Sequence, residues 1–421
     1  MITIITCVFL VGIIAIMFEH KLHVDKTAVA LMTALIIWVL YFKVEPNHVV
    51  LQNSLIHYVG EISEILFFLL GAMGLVELID SHGGFELITK KLYVSDKGKL
   101  LWTIALLSFS LSAVIDSLTT AIIMVTLIQK ILVKKEDKIA FCGIIIIASN
   151  AGGAWSPLGN VTTTMLWIGG QITVGSIMLH LILPSLAVAA VPTWLMARKY
   201  KNKKLEGAFD RSYQVTKDEK IVLLCGVLCF IGIPVFTVTT EMPPFIGMLG
   251  ALAVMWIIIQ WLHKNKDDVT QNRYSVTQAL QKVNISTLLF LLGILLAISG
   301  LEELHVLSLF SDVLNHYVGN LFFIPVILGF ISALIDNVPL MAAVQGMYPL
   351  TQFAINHPFW NFMALATGTG GSILIIGSAA GVAIMGLEKI NFFEYLKKIS
   401  LYAILGYVMG IVVFFLQSKI F

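Results

Sequence analysis

The chain has 421 residues, of which 58% are hydrophobic and only 12% charged, with a mean hydropathy of +0.91 and a formal net charge of +2. A soluble domain is nearer half apolar and a quarter charged, so this composition excludes an ordinary soluble enzyme and reads as an all-α polytopic membrane protein; a porin-like barrel would show short alternating segments instead. The near-neutral charge gives no footing for nucleic acid, and the partner it implies is the lipid bilayer.

Candidate spans are apolar runs near the ~20 residues that cross a bilayer. The first, Ile2–Phe18, has no basic region before it and no small-residue cleavage site after it, and is read as a retained span rather than a signal peptide. Thr27–Phe42 is the second. Glu45–Gly60 is more polar and is expected at the interface. Ile62–Ile79 is the third span, and Asp80-Ser81-His82-Gly83-Gly84 reads as its helix exit. Leu100–Val114 and Leu118–Val133 flank Asp116. Ala140–Gly169 is one long run interrupted by Gly152-Gly153 and Pro157, and Val174–Met196 closes a first half, residues 1–200.

A charged stretch follows, with 201–220 as linker. The second half, 221–421, repeats the order. Ile221–Thr240 and Pro244–Leu262 match the opening pair, 263–284 is polar, and Ile285–Gly300 matches the third span. Leu321–Leu334 and Val338–Leu350 flank Asp336. Phe362–Gly386 is a second interrupted run, and Ile399–Leu416 is the final span. The four cysteines lie inside apolar segments and read as packing residues. No HExxH, Walker A or paired CxxC pattern occurs, so neither a cofactor, nor enzyme chemistry, nor an ATPase subunit is expected.

The repeat holds in register. Leu66-Phe67-Phe68-Leu69-Leu70-Gly71 returns as Leu288-Leu289-Phe290-Leu291-Leu292-Gly293, and Ser112-Ala113-Val114-Ile115-Asp116-Ser117 as Ser332-Ala333-Leu334-Ile335-Asp336-Asn337. Gly152-Gly153…Gly159-Asn160 returns as Gly370-Gly371…Gly377-Ser378. The three offsets are 222, 220 and 218, which one internal duplication explains.

Basic residues set the topology. If the segments around Asp116 and Asp336 are re-entrant hairpins, each half keeps five full spans and the halves run in opposite directions. With both termini outside, six segments (19–26, 80–99, 134–139, 197–220, 263–284 and 387–398) face the cytoplasm and hold 24 of the 27 Lys and Arg. The external 301–320 and 350–361 carry Glu302, Glu303 and Asp312 but no basic residue. That asymmetry is the positive-inside signature. The fold expected is two inverted-topology repeats with broken helices at 149–160 and 367–378.

A carboxylate in the middle of an apolar run costs about 2.5–3.5 kcal/mol on an insertion scale and marks a functional site by default. Asp116 and Asp336 are two, at matching places. A structural ion pair would need a basic partner, and Lys130 is the one in a neighbouring apolar run, at the far end of its hairpin. The breaks are rich in glycine and oxygen. Unwound backbone exposes carbonyls, while Ser117, Ser149, Asn150, Asn160, Thr162, Thr163, Asn337, Thr367 and Ser378 add side-chain groups. A dehydrated hard cation needs about six such oxygens and a carboxylate to offset its charge. Glycine and serine also serve close helix packing, so both readings stand side by side.

Glu64 and Glu77, in the third span, are candidates for a proton path or simply mark its ends. The ten His read mostly as solvated loop residues. Because a carboxylate out of water holds its proton more tightly and a bound cation releases it, Na⁺ and H⁺ would compete for the same oxygens, which is antiport by exclusive occupancy.

The stretch from Ser149 to Trp167 resembles the signature of NhaD-type sodium/proton antiporters of the ion transporter superfamily, and the Asp116 and Asp336-Asn337-Val338-Pro339 segments and Leu66–Gly84 resemble that family too. The resemblance covers almost the whole chain. It implies a multi-pass Na⁺(Li⁺)/H⁺ exchanger of the bacterial inner membrane, a homodimer with scaffold and transport domains and elevator-like movement. Site residues it suggests are Asp116, Asn150, Thr162, Thr163, Asp336 and Asn337, with Na⁺ at Asp116, Asn150, Asp336 and Asn337. Two departures are expected to matter. Asn160 stands where the family stretch has Asp, which removes a charge and bears on the proton stoichiometry, and a leading span of the family is expected to be absent. The alternative is a sodium-coupled carboxylate symporter of the same superfamily, in which an Asp at each tip would repel the substrate. An oxyanion channel that works with an ATPase, and a membrane enzyme, find less in the residues.

Overall fold

The computed structural model describes residues 2–43, 46–85, 96–201, 203–205, 216–267, 271–272, 274–320 and 322–419, without the side chains of His20, Lys21 and Lys130. Most of the expected linker (206–215), Lys90, Lys91, Arg211 and Arg273 of the basic-loop count, and the side chain of Lys130 lie outside this description. Among the described residues there are helices and no strand; Asp96 and Lys204 form an isolated bridge. Among the described residues, eight helices are long and apolar enough to cross a membrane.

Helices α1 (Ile2–Met17), α2 (Glu19–Leu22) and α3 (Lys26–Phe42) open the chain. Asp25 caps α3 by accepting from Thr27 N at 2.7 Å, and the Thr27 hydroxyl first, with its backbone N–H second, holds the Asp25 carboxyl below the usual range. Next comes α4 (His48–Ser81). Residues 48–60 of the stretch expected at the interface are continuous with the third span. Residues 48–81 form one helix of 34 residues, about 51 Å at 1.5 Å per residue and so longer than a ~30 Å hydrocarbon core. Asn47 caps it, and the polar Gln52, Asn53, His57 and Glu61 lie on exposed positions while Leu51 and Ile62 are buried. Polar residues on the outer face of a helix do not end it. The second half divides the matching stretch into α12 (Val276–Lys282) and α13 (Ile285–Glu303), because Asn284 starts a new helix by accepting from Thr287 N.

The first hairpin is α5 (Lys97–Ile115) and α6 (Ser117–Ile131), which meet at Asp116. Helix α7 (Lys135–Ala154) leads through a break at 155–160 into α8 (Val161–Ile168), and α9 (Val174–Lys199) ends the half. The second half begins with α10 (Lys217–Thr240) and α11 (Pro244–His263). Residues 301–320, expected as external loop, contain α14 (Val306–Val318), which buries Val306, Leu307 and Ser311 and turns by 117° into α15 (Phe323–Ile331). After the tip at Ser332–Asp336 come α16 (Asn337–Met347), α17 (Pro358–Gly370), a break at 371–378, α18 (Ala379–Glu388), α19 (Phe392–Lys398) and α20 (Ser400–Ser418).

The breaks are therefore shorter than expected. Ser149–Ala154 and Thr367–Gly370 are the last turns of α7 and α17, which keep their helical hydrogen bonds because the glycines there are covered by neighbouring backbone rather than exposed to a competing solvent.

The halves interlock. α16 packs on α8, α17 on α7, and α18 on both α6 and α7, so each half's hairpin or break is covered by the other half. One apolar core runs through α4–α9, α10, α11 and α15–α20, and a second joins α1, α3 and α13. The functional residues lie between the two.

Candidate functional site

Asp116 ends α5 and caps α6 at once. Its φ of 97° and ψ of 157° fall in a region that disfavours every residue with a Cβ. The conformation aims the carboxylate at the start of α6, where Oδ1 accepts from Thr119 N at 2.9 Å and Oδ2 from Thr119 Oγ1 at 2.7 Å. Asp336 caps α16 with ordinary backbone (φ −48°) and a weak bond from Val338 N at 3.4 Å, which leaves its Oδ2 free to face elsewhere.

Both tips are held by the same contacts. Ser112 Oγ donates to Ser149 O at 2.5 Å, and Ser332 Oγ donates to Thr367 O at 2.8 Å. A Cβ on Gly152 would overlap the Phe109 carbonyl, and one on Gly370 would overlap that of Gly329. Gly153 and Gly371 likewise press against the carbonyls of Gly159 and Gly377. These glycines let a hairpin backbone run against a broken helix with no side chain between them, which is the packing role. It brings the unwound segments to the tips.

The polar groups of the breaks meet across the halves. Asn150 Nδ2 donates to Ser372 Oγ and to Ser378 Oγ, each at 2.9 Å, while its Oδ1 is fully buried without a partner. Asn337, with its nitrogen inward, donates to Ser332 Oγ (2.5 Å), Gly377 O (2.9 Å) and Thr367 O (3.2 Å). Asn160 O accepts from Thr163 Oγ1 at 2.8 Å and Thr164 Oγ1 at 3.1 Å, and the Asn160 Nδ2 and Thr162 Oγ1 are buried without partners. Buried polar atoms are rarely left so, and of these residues Asn150 and Asn160 line one void.

That void has a volume of about 110 Å³. Asp116, Ser117, Asn150, Asn160, Asp336, Asn337 and Ser378 all line it, from both halves, and Phe68, Met248 and Phe290 of α4, α11 and α13 close the opposite wall. Ser149, Thr162, Thr163 and Thr367 stand behind this lining, where they act through their backbone or brace the breaks. Glu64 and Glu77 are not brought to it; Glu77 accepts from Lys282 Nζ at 2.8 Å and so ties α4 to α12. Two of the His are not solvated: His82 and His263 are buried against each other with Nε2 atoms 3.1 Å apart.

Sequence reasoning missed Lys26 and Thr119. Thr119 was within reach, since a Thr three residues after a capping Asp is a standard partner. Lys26 was counted among the basic residues of the 19–26 loop, yet its ammonium lies 3.7 Å from Asp336 Oδ2 and gives that tip a basic partner.

Residues 13–368 match a family described as citrate transporter, or CitMHS, a stretch that includes both tips and the first break. This chain belongs to the citrate-transporter family. Its relatives in that family bear a different substrate in their names. It is 41% identical to sodium/proton antiporter 1 of Arabidopsis thaliana over 96% of this chain and 70% of the relative, and 38% identical to sodium/proton antiporter 2 of the same plant over 96% and 97%. It is also 30% identical to the Na⁺/H⁺ antiporter NhaD of Vibrio cholerae over 98% and 91%. The likeness to these sodium/proton antiporters runs over nearly the whole chain, as the sequence resemblance to NhaD-type antiporters implied.

Proposed function

We propose that this chain exchanges Na⁺, and Li⁺, for H⁺ across a membrane, with the cation and the proton competing for the carboxylates of Asp116 and Asp336. The observation that carries this is one small cavity lined by both Asp116 and Asp336, with Asn150, Ser117 and Ser378 beside them. The carboxylates and hydroxyls offer oxygen and negative charge between helices, which suits a hard monovalent cation. The names of the relatives point the same way. Asn337 braces the second tip, and Ser117, Asn160 and Ser378 complete the lining. A tricarboxylate, which the family description would suggest, would meet two carboxylates at close range in a low dielectric.

The same reading makes the protein a homodimer in a bacterial inner membrane with its basic loops in the cytoplasm. It also makes the α1–α3–α13 side the scaffold for a moving body that carries the tips and breaks. The test is proton movement in everted vesicles, read with a pH-sensitive dye on adding Na⁺, Li⁺, K⁺ and then citrate. Proton release into the lumen's exterior on Na⁺ or Li⁺ alone is expected. Silence with every cation, together with Na⁺-dependent citrate uptake, would replace exchange by symport.

A further inference from the structure

The Lys26–Asp336 pair stands in a wall between two cavities. On one side is the void of about 110 Å³ that holds Asp116; on the other is a smaller one of about 60 Å³ that Glu19 of α2 lines. Among the described residues, Lys26 and Asp336 are the two that line both. The ammonium is 3.7 Å from Asp336 Oδ2 and 4.7 Å above the ring of Phe290, so a carboxylate and a π face hold it together. Both side chains keep some exposure, 27% and 19%, so the pair is not sealed in the core and can part without leaving a charge in a dry interior.

The charges of the central void are then uneven. Two carboxylates and one ammonium line it, and one monovalent cation balances them. A cation that takes the Asp336 oxygens must displace the ammonium, and the adjoining cavity offers it the Glu19 carboxylate.

We propose that Lys26 is a tethered cation guarding the site: its ammonium occupies Asp336 and closes the wall when no ion is bound, and an entering Na⁺ displaces it toward Glu19. This rests on the reading of the central void as the ion site. Lys26 opens α3, on the scaffold side, so it sets how tightly the void holds its ion and limits the void to one ion at a time.

The test uses the full chain in proteoliposomes, with radioactive Na⁺/Na⁺ exchange at fixed pH, so that only the loaded form crosses. Lys26→Gln is expected to half-saturate at a Na⁺ concentration at least about tenfold lower, since a unit charge a few ångströms away is gone, and to exchange at a lower maximal rate, since no ammonium returns to expel the ion. Lys26→Arg should behave as wild type. A packing role alone would not tighten Na⁺ binding. Should Lys26→Gln fail to fold, wild type still decides: amine labelling of Lys26, read by mass spectrometry, should rise when Na⁺ saturates the site. Unchanged labelling, or a Lys26→Gln protein that matches wild type in both readouts, overturns the proposal. Wild type that exchanges no Na⁺ at all overturns the ion site itself.

Discussion

Asp116 is the residue at which strain, charge and position meet. A Cβ at φ 97° costs about 1–3 kcal/mol, and the two bonds from Thr119 offset part of that. Two outcomes follow from separating these terms. Asp116→Ala keeps the strain and loses the cap, whereas Asp116→Gly loses both, so thermal unfolding in detergent should find the Gly variant more stable than the Ala variant by about 1–3 kcal/mol. Transport separates the variants differently. Asp116→Asn and Asp336→Asn should each abolish Na⁺-driven proton movement, while Glu64→Gln, outside the cavity, should retain it. Full activity in either Asn variant would remove that Asp from the site. Both carboxylates stand out in the sequence because a lone Asp in an apolar run is rare, and the structure brings both to one cavity. Lys26 does not stand out, because a lysine at the start of an apolar run looks like a loop residue; only the packing of α3 on α13 turns it toward the second tip.

At the scale of elements, the duplicated contacts explain why the breaks sit where they do. The glycine pairs were legible as a repeat, but whether they served packing or ion coordination was not, since spacing along one chain says nothing of what lies opposite. The structure puts backbone opposite them. A methyl group at 152 or 370 would have to displace a carbonyl rather than a flexible side chain, and Gly152→Ala or Gly370→Ala should cost several kcal/mol, about the scale of overpacking a core or more. Gly250 of α11 is the control: nothing lies within 4 Å of its would-be Cβ, so Gly250→Ala should be neutral or stabilising by up to about 1 kcal/mol. Melting followed by size-exclusion chromatography would order the three. A Gly370→Ala protein as stable as the Gly250→Ala protein would show that the two backbones do not run in contact. The Asn150 bonds to Ser372 and Ser378 belong to this scale too. They join breaks more than 200 residues apart, and no local pattern announces them.

The whole molecule has two apolar cores with a partly polar cavity between them, and its span order was largely readable from hydropathy, except where α4 runs on through polar residues and α14 hides in an acidic stretch. One tie at the end of the molecule that carries the α4 exit and the α11 terminus was not readable. There His82 is buried just past α4, tilted against Tyr274 and facing His263, which itself stacks on Tyr274. Its Nδ1 lies 2.7 Å from Leu78 O and so must donate, which leaves Nε2 bare to accept the Nε2–H of His263. Burial holds His82 below the ordinary imidazole range; His263 and Lys266 add to this, and Leu78 O and Asp218, itself paired with Lys266, pull the other way. The folded protein thus prefers neutral His82, and the unfolded chain binds the proton first. Stability is present above the unfolded value near 6.5 and is lost as the pH falls through the lower folded one, where two N–H groups would face each other at 3.1 Å. Lowering the pH from about 7.5 to about 5.5 should therefore reduce the melting temperature of the wild type more than that of His82→Asn, which cannot charge. An equal loss in both would mean that another group carries the acid sensitivity, and that this contact closes the end of the bundle without responding to protons.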